Sequence, residues 1–463
     1  MLINVFILFY NTIFSLNILG ISHLAPSPFG HYTSVAMLDD NSNLFAISEE
    51  RLSRIKNDGG YPSNSIQLCL NQNNLRLDDI DNVVVGWSLE ETRVGRRINE
   101  QFCCYAKEST NFKRTTIGKR STHFYDHQYI HARIGYALSG FKKALVISLD
   151  GGGIDNGEFN SGGIFIVDNG DIRPIKYFPL NLSLGNTYGA ITEICGFAMN
   201  DGEGKTMTLG PMAVNESKSD KEKIYKHMCN VFPDFNGNNF RTNGHVTLDG
   251  KILHGSAVYD ILDTRLLLLK RLYNRNLIAW AAQKRLEEIV VKIVNSAVDA
   301  TGIKNVVFGG GIFLNMIMNM KIQQLLGKKL NLFFNPICND LGNAVGAALE
   351  EYYQQTGKNP VPPYMSLYLG GSYSDEEILL STKKFNFKVS KVNKMDAAID
   401  LIERGKVIGW FQGRSEFGQR GLGSRSILAL PTEQKYRDIV NEKVKKREPW
   451  RPFCPTIIEE KSS

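Results

Sequence analysis

The sequence predicts a multidomain α/β protein whose larger part is organised around one nucleotide-like cleft. Three observations point there. Short apolar runs with β-branched residues alternate with stretches of helical periodicity. At 463 residues the chain is too long for one ordinary core, so two or three domains are expected. A strand leading into three glycines occurs twice, at Gly151, Gly152 and Gly153 and again at Gly309, Gly310 and Gly311, which suggests an internal duplication.

The elements follow in order. Residues 17–22, 34–38 and 44–48 read as strands of a meander, broken by a loop at Pro26, Pro28 and Gly30 and a turn at Asp39 to Ser42. The charged run at 49–56 suits a solvated helix face. Residues 65–71 look helical and 83–87 form a strand. The central stretch is 126–153. Its first part, 126–138, is a helix with Asp126 as a plausible N-cap and Gly140 where it would stop. Residues 144–149 are a buried strand that ends in Asp150 and the first glycines. A strand at 162–167 and a helix at 186–195 come next. Gly202, Glu203, Gly204 and Lys205 form either a glycine-rich turn or a weak phosphate signal, since they are not a P-loop. A long amphipathic helix from near Leu277 to Ala300 carries Leu286, Ile289, Val290, Ile293, Val294 and Val298 at helical spacing, and Gly302 ends it. A strand at 306–308, a loop at 335–340 and a helix at 342–353 close the larger part. Residues 354–363 read as a linker, and a second domain begins near Tyr364 with a strand at 406–411.

His127 and His131 are four residues apart, hence one turn apart on one helical face, and form a natural half-site for a divalent metal. Asp150 can close it from the side. The bland alternative makes them surface histidines beside a turn-capping aspartate. Glycines let backbone N–H groups approach a phosphate closely. Asp340, just before a helix, is a cap or something more. In the second domain, arginines lie among glycines at 413–426 and a basic run spans 441–452. That suits capture of phosphate or carboxylate, or a solvated basic face.

Composition narrows the classes. With 43% hydrophobic and 22% charged residues the chain is globular. A net charge of +7 fits anionic small ligands as well as nucleic acid, but no like-charge block suggests a nucleic-acid tail. Seven scattered cysteines with no CxxC fit a reducing cytoplasm and argue against a cysteine zinc site. Residues 1–17 are apolar but carry no leading Lys or Arg and no small-residue cleavage site, so they read as an extension outside the fold.

Taken together, ERLSRIK, the HxxxH before DGGG, GEGKTMTLGP, GGGIFLN, DLGNAVGAA, EFGQRGLGSRSILALP and KKREPWRPFCP resemble, in content and order, the O-carbamoyltransferase family of tobramycin, cephem and nodulation carbamoyltransferases. The resemblance implies a Kae1/glycoprotease-like domain at 18–353, with a duplicated actin-like ATPase architecture. It implies a YrdC/Sua5-like domain at 364–463, expected to be incomplete because family members continue beyond the RPF-P motif. The implied activity is ATP-dependent O-carbamoyl transfer from carbamoyl phosphate, through carbamoyl adenylate, to a hydroxyl of a sugar, antibiotic or lipo-oligosaccharide. The family's metal ligands match His127, His131, Asp150 and Asp340, a set suited to Fe(II), with Zn or Mn as alternatives. Gly151 to Gly153, Gly202, Glu203, Lys205, Gly309 to Gly311 and Asn315 would hold the adenylate. Arg420, Lys445 and Arg451 match the basic set around carbamoyl phosphate, with Arg414 and Arg447 nearby, and His31 falls near the acceptor. The family's HH, HD and FGPRALG are here His127-Gln128, His31-Tyr32 and FGQRGLG. The expected setting is cytoplasmic, with no nucleic acid or membrane partner; a homodimer or a separate C-terminal fragment is compatible. Two other readings share features of the sequence: a Kae1-type tRNA threonylcarbamoyl enzyme, and a non-catalytic nucleotide-binding remnant.

Overall fold

The computed structural model describes residues 16–23, 32–87, 122–235, 240–241, 245–246, 252–253, 264–360 and 366–461. Its frame is two five-stranded sheets. The first contains β1 (Asn17–Ile21), β2 (Ser34–Asp39), β3 (Leu44–Ser48), β4 (Asn82–Val85) and β5 (Thr122–Phe124), in the order β3-β2-β1-β4-β5. The second contains β6 (Lys143–Asp155), β7 (Glu158–Asp168), β8 (Asp171–Pro179), β9 (Asn305–Gly309) and β10 (Asn331–Phe334), in the order β10-β9-β6-β7-β8. In each, a central first strand carries an antiparallel meander on one side and two parallel strands on the other. The two sheets therefore repeat one topology, which is the duplication the sequence suggested.

The glycine pairs are not the mark of that duplication. Both triplets lie in the second sheet, on β6 and at the end of β9, its parallel neighbour, with Gly309 opposite Ser148. Each permits a close approach: Gly152 to Leu180, Gly153 to His127, and Gly310 and Gly311 to Leu149 and Asp150 of β6. A Cβ on Gly310, whose φ is +88°, would stand 2.2 Å from the Leu149 carbonyl oxygen. The strand expected to end at Leu149 instead runs on to Asp155, with a register shift between Leu149 and Gly153 where it pairs with β7.

Seven helices surround the site and pack on the sheets or on one another, α1 (Ser63–Gln72), α2 (His127–Ser139), α3 (Leu184–Ile194), α4 (Glu203–Leu209), α5 (Arg275–Thr301), α6 (Met316–Leu326) and α7 (Asn343–Thr356), and α8 (Asp375–Lys384) follows in the C-terminal part. Asn274 caps α5 by accepting from the Leu277 N–H, and Gly302, at φ +68°, ends it. The GEGK motif opens α4 rather than forming a turn. Helix α7 extends three residues past the expected end because its last turn continues to Gly357, which is left-handed.

The centre of the molecule is α2 against α7. All residues of α2 except Tyr129 are buried, as expected for a helix enclosed on every side. It packs on β6 and β9 of the second sheet, although it follows the last strand of the first. Helix α7 does the reverse: it follows the second sheet and packs on β1, β2 and β4 of the first. Small residues permit this. A Cβ on Gly346 would meet Ile130 at 2.6 Å, and one on Gly20 would meet the Ala344 carbonyl at 2.1 Å. Residues such as Ile134, Val345 and Leu349 are then withdrawn from water, each contributing about 1.5–3 kcal/mol.

The C-terminal residues are divided. Leu369 and Phe417 are buried in the same core as Ile18, Ala36 and Ile134, and the Ala46 N–H donates to the Leu369 carbonyl. By contrast, α8 and the helix Lys394–Glu403 contain no buried residue. The strands Ile408–Phe411 and Arg425–Leu428 form a separate antiparallel pair. Among the described residues, no helix is long and apolar enough to cross a membrane.

Candidate metal centre and its surroundings

Four side chains that are far apart in sequence meet where the two halves join. His127 and His131 come from the first turns of α2, Asp150 from β6, and Asp340 from the turn leading into α7. One ligand-type atom from each lies within 4.8 Å of all the others. Both Nε2 atoms face inward. They lie 3.1 and 3.0 Å from Asp150 Oδ2, 3.6 and 3.4 Å from Asp340 Oδ1, and 3.2 Å from each other. Both imidazoles are fully buried.

These spacings test whether the set suits a cation. Donors held at ~2.1 Å from one ion are separated by roughly 3.0–3.4 Å in octahedral or tetrahedral arrangements. Four of the five edges given above fall in that range, and the His127–Asp340 edge, at 3.6 Å, lies just beyond it. The chemistry matches too, since two neutral nitrogens and two carboxylate oxygens complement a divalent charge. Without a cation the cluster holds protons. Burial works against a charged His131, but the hydrogen bonds and charges of Asp150 and Asp340 outweigh it and push its pKa up to about 9. Asp150 is likewise opposed by burial, yet His127 and His131 hold its carboxyl well below the usual range.

The surroundings fix the donors. Asp150 Oδ1 accepts from the Gly151 N–H at 2.7 Å and the Gly311 N–H at 3.3 Å, so both glycine triplets contribute to orienting this carboxylate. A Cβ on Gly153 would stand 2.3 Å from the His127 ring. Asp126 does not cap α2 with its side chain; its carboxylate accepts from the Asn156 N–H instead. Asp155 takes that role, with Oδ1 accepting from the N–H groups of Gln128 and Tyr129. Burial raises the Asp155 pKa to about 7.

The other predicted residues fall into groups. The Gly151 carbonyl accepts from Ser183 Oγ and Asn186 Nδ2, each at 2.7 Å. Gly202 and Glu203 stand at the start of α4, and Glu203 accepts from the Asn200 N–H. Lys205 Nζ lies 2.9 Å from Glu448, which also faces Arg451 at 3.9 Å; Trp450 packs near Phe197. Arg451 is thus brought to the GEGK helix. Arg420 is exposed, but its charge reaches Cys338, two residues before Asp340. Lys445 is exposed. The Asn315 side chain caps α6 and exchanges two hydrogen bonds with Gln283. Arg414 donates to the carbonyls of Leu44, Leu369 and Gly370 and so ties down backbone, while Arg447 donates to the Asn441 side-chain Oδ1 and to the Pro452 carbonyl. In the ERLSRIK run, Arg51 donates to the Gly418 carbonyl and Lys56 pairs with Asp201, while Arg51, Arg54 and Lys56 remain exposed, as a solvated face requires. His31 lies outside the described residues.

Several neighbours escaped the sequence reading. The Trp87 ring lies 5.0 Å from that of His127, tilted by 52°, and buried His23 meets Trp87 edge-on. Asn343, fully buried, faces His127 Nδ1 at 3.3 Å. Asn343 follows Asp340 by three residues, one helical turn, which is the only signal that could have found it. His23 and Trp87 sit near the ends of separate strands and carry no such signal.

Comparison with known proteins bears on the same residues. A family model described as carbamoyltransferase N-terminus matches residues 17–115 and 93–349, and one described as carbamoyltransferase C-terminus matches 399–463. The chain is 29% identical to nodulation protein NolNO of Sinorhizobium fredii over 452 residues, covering 94% of this chain and 63% of that protein. It is 35% identical to the 3'-hydroxymethylcephem-O-carbamoyltransferase of Streptomyces clavuligerus over 147 residues, 32% of this chain and 26% of that enzyme. The structure of HypF from T. kodakarensis superposes with a TM-score of 0.38 at 14% identity, over 75% of this chain and 49% of HypF, too loosely to bear on function.

Proposed function

The chain belongs to the carbamoyltransferase family, and on that premise we propose that it is an ATP-dependent O-carbamoyltransferase. In this reading water cleaves carbamoyl phosphate to carbamate and phosphate, the carbamate oxygen attacks the ATP α-phosphorus with loss of pyrophosphate to give carbamoyl adenylate, and the carbamoyl group then passes to a hydroxyl of a small molecule such as a sugar, antibiotic or lipo-oligosaccharide. The convergence of His127, His131, Asp150 and Asp340 within 4.8 Å carries the proposal. A divalent cation held there, Fe(II) or else Zn or Mn, would supply Lewis-acid polarisation of the carbamoyl carbonyl or the leaving phosphate.

The chain's own residues would do the rest. Lys205 and Arg451, already drawn together by Glu448, would hold phosphate oxygens, and Arg420, whose charge reaches Cys338, would add positive potential. The acceptor oxygen would attack the carbamoyl carbon as its bond to the AMP oxygen breaks, with the hydroxyl proton leaving to a base; His31 is the candidate from sequence. Residues 364–463 would be part of a YrdC/Sua5-type adenylation module. The setting would be cytoplasmic.

The test is direct. Protein loaded with Fe(II) is incubated with carbamoyl phosphate, ATP and a mixture of aminoglycosides and sugars. Pyrophosphate release that depends on carbamoyl phosphate is expected. A parallel reaction receives preformed carbamoyl adenylate and is followed by AMP release and product mass. Absence of both activities, even with the C-terminal region of a longer relative added in trans, would overturn the reading.

A further inference from the structure

The geometry points to Asn343 as the positioning residue that selects the metal-binding tautomer of His127, an inference that rests on the cation reading above. A neutral imidazole carries one hydrogen. If His127 Nε2, turned toward Asp150 and Asp340, is to offer its lone pair to a cation, the hydrogen must sit on Nδ1 and needs an acceptor there. The group opposite Nδ1 is the Asn343 carboxamide, 3.3 Å away and fully buried.

As placed, the amide presents its Nδ2 to both rings, at 3.3 Å from His127 Nδ1 and 3.5 Å from His131 Nε2, while its Oδ1 is buried without a partner. That orientation aims a donor at two nitrogens, one of them an inward-facing donor atom of the cluster. The two ends of a carboxamide are nearly identical in shape. Turned over, Oδ1 accepts from the His127 Nδ1–H, and no N–H competes for the His131 lone pair. The turned orientation is therefore the one consistent with a bound cation. Hydrogen-bonded outer partners of this kind fix ring orientation and tautomer in metal sites.

The backbone supports this placement. A Cβ on Gly86, the residue after β4, would stand 2.9 Å from both Asn343 Cβ and its carbonyl oxygen, so glycine there leaves room for the start of α7. The second histidine has no equivalent. His131 Nδ1 is buried with no partner among the described residues, so only His127 has its tautomer set by a side chain.

Cobalt(II) titration of the whole protein, followed by visible absorption and by chelator competition, tests the inference. Asn343→Leu is expected to weaken cobalt binding by about 10–100-fold, while Asn343→Asp, which retains an acceptor oxygen, stays within about threefold of wild type by the same criterion. Thermal melting in a chelator separates folding defects from site defects. Nitrogen-15 spectra of the zinc-loaded wild type provide an independent readout even if the leucine variant fails to fold, and are expected to show the His127 hydrogen on Nδ1, hydrogen-bonded to the Asn343 side-chain oxygen. Unchanged cobalt affinity in a folded Asn343→Leu variant, or a zinc-loaded wild type whose His127 Nδ1–H makes no hydrogen bond to Asn343, would overturn the inference. Failure of the wild type to bind cobalt at all would instead strike at the cation reading.

Discussion

Asp150 divides its carboxylate between two tasks. Oδ1 is tied to the N–H groups of Gly151 and Gly311, and Oδ2 faces both imidazoles. Asp155, five residues on, anchors the helix that carries those imidazoles. Its buried carboxyl keeps a proton up to about pH 7 in the native state, whereas in an unfolded chain it would lose it near ~4. Between those values the native state binds more protons than the unfolded state, so this residue makes stability fall as pH rises, by up to ~4 kcal/mol. Asp155→Asn keeps an acceptor for Gln128 and Tyr129 but does not titrate. Urea melts from pH 4 to 8 are expected to show the wild type losing stability relative to the variant as pH increases. At this scale the sequence was informative where chemistry is local. The i, i+4 histidines and a carboxylate ending a strand are visible as types and spacings. The capping role of Asp155 was not, because it depends on a strand continuing through three glycines. The mutual pairing of Asn315 and Gln283 was hidden for a similar reason, since the partners come from different helices.

Among the elements, the two glycine triplets suggest halves of a repeat, but the structure places both in the second sheet, where Gly310 and Gly311 come close to β6 and Gly153 makes room for the His127 ring. Gly310 shows the demand most clearly. Its φ of +88° and the Leu149 carbonyl 2.2 Å from any Cβ leave no room for a side chain. Gly310→Ala is expected to cost at least ~3 kcal/mol in urea unfolding, through strain and displacement of β6. Gly204→Ala is the control. That glycine lies within α4 with nothing near its Cβ position, so alanine is expected to be neutral or to stabilise by about 0.5–1 kcal/mol. Strands and helices were legible in type because their apolar periods are strong. Long α5 was found almost whole, with its stop at Gly302. The GEGK helix was missed because two glycines in four residues obscure a helical pattern.

For the whole molecule, the repeated sheet order places the site at the junction of two halves, and the proposed division at residue 364 does not separate two independent cores. Phe417, at 2% exposure, is buried with Leu369 among residues of the first sheet and of α2 and α7. Phe417→Ala is expected to destabilise by about 3–5 kcal/mol. Limited proteolysis should then cut between residues 366 and 418 faster than in wild type; equal cleavage rates would argue that this segment is held by other contacts. The composition and the linker-like run suggested a clean boundary, and a single phenylalanine beyond it could not be seen as a core residue from sequence. The exchange of α2 and α7 between the halves has a temporal consequence. Since His127 and His131 ride on one of these helices and Asp340 precedes the other, a nascent polypeptide can assemble its ion cradle only after residue 340 has emerged and both sheets have been roofed. In stopped-flow refolding with cobalt(II) present, the visible band should therefore trail the far-ultraviolet signal, so that ion capture reports the closing step of maturation.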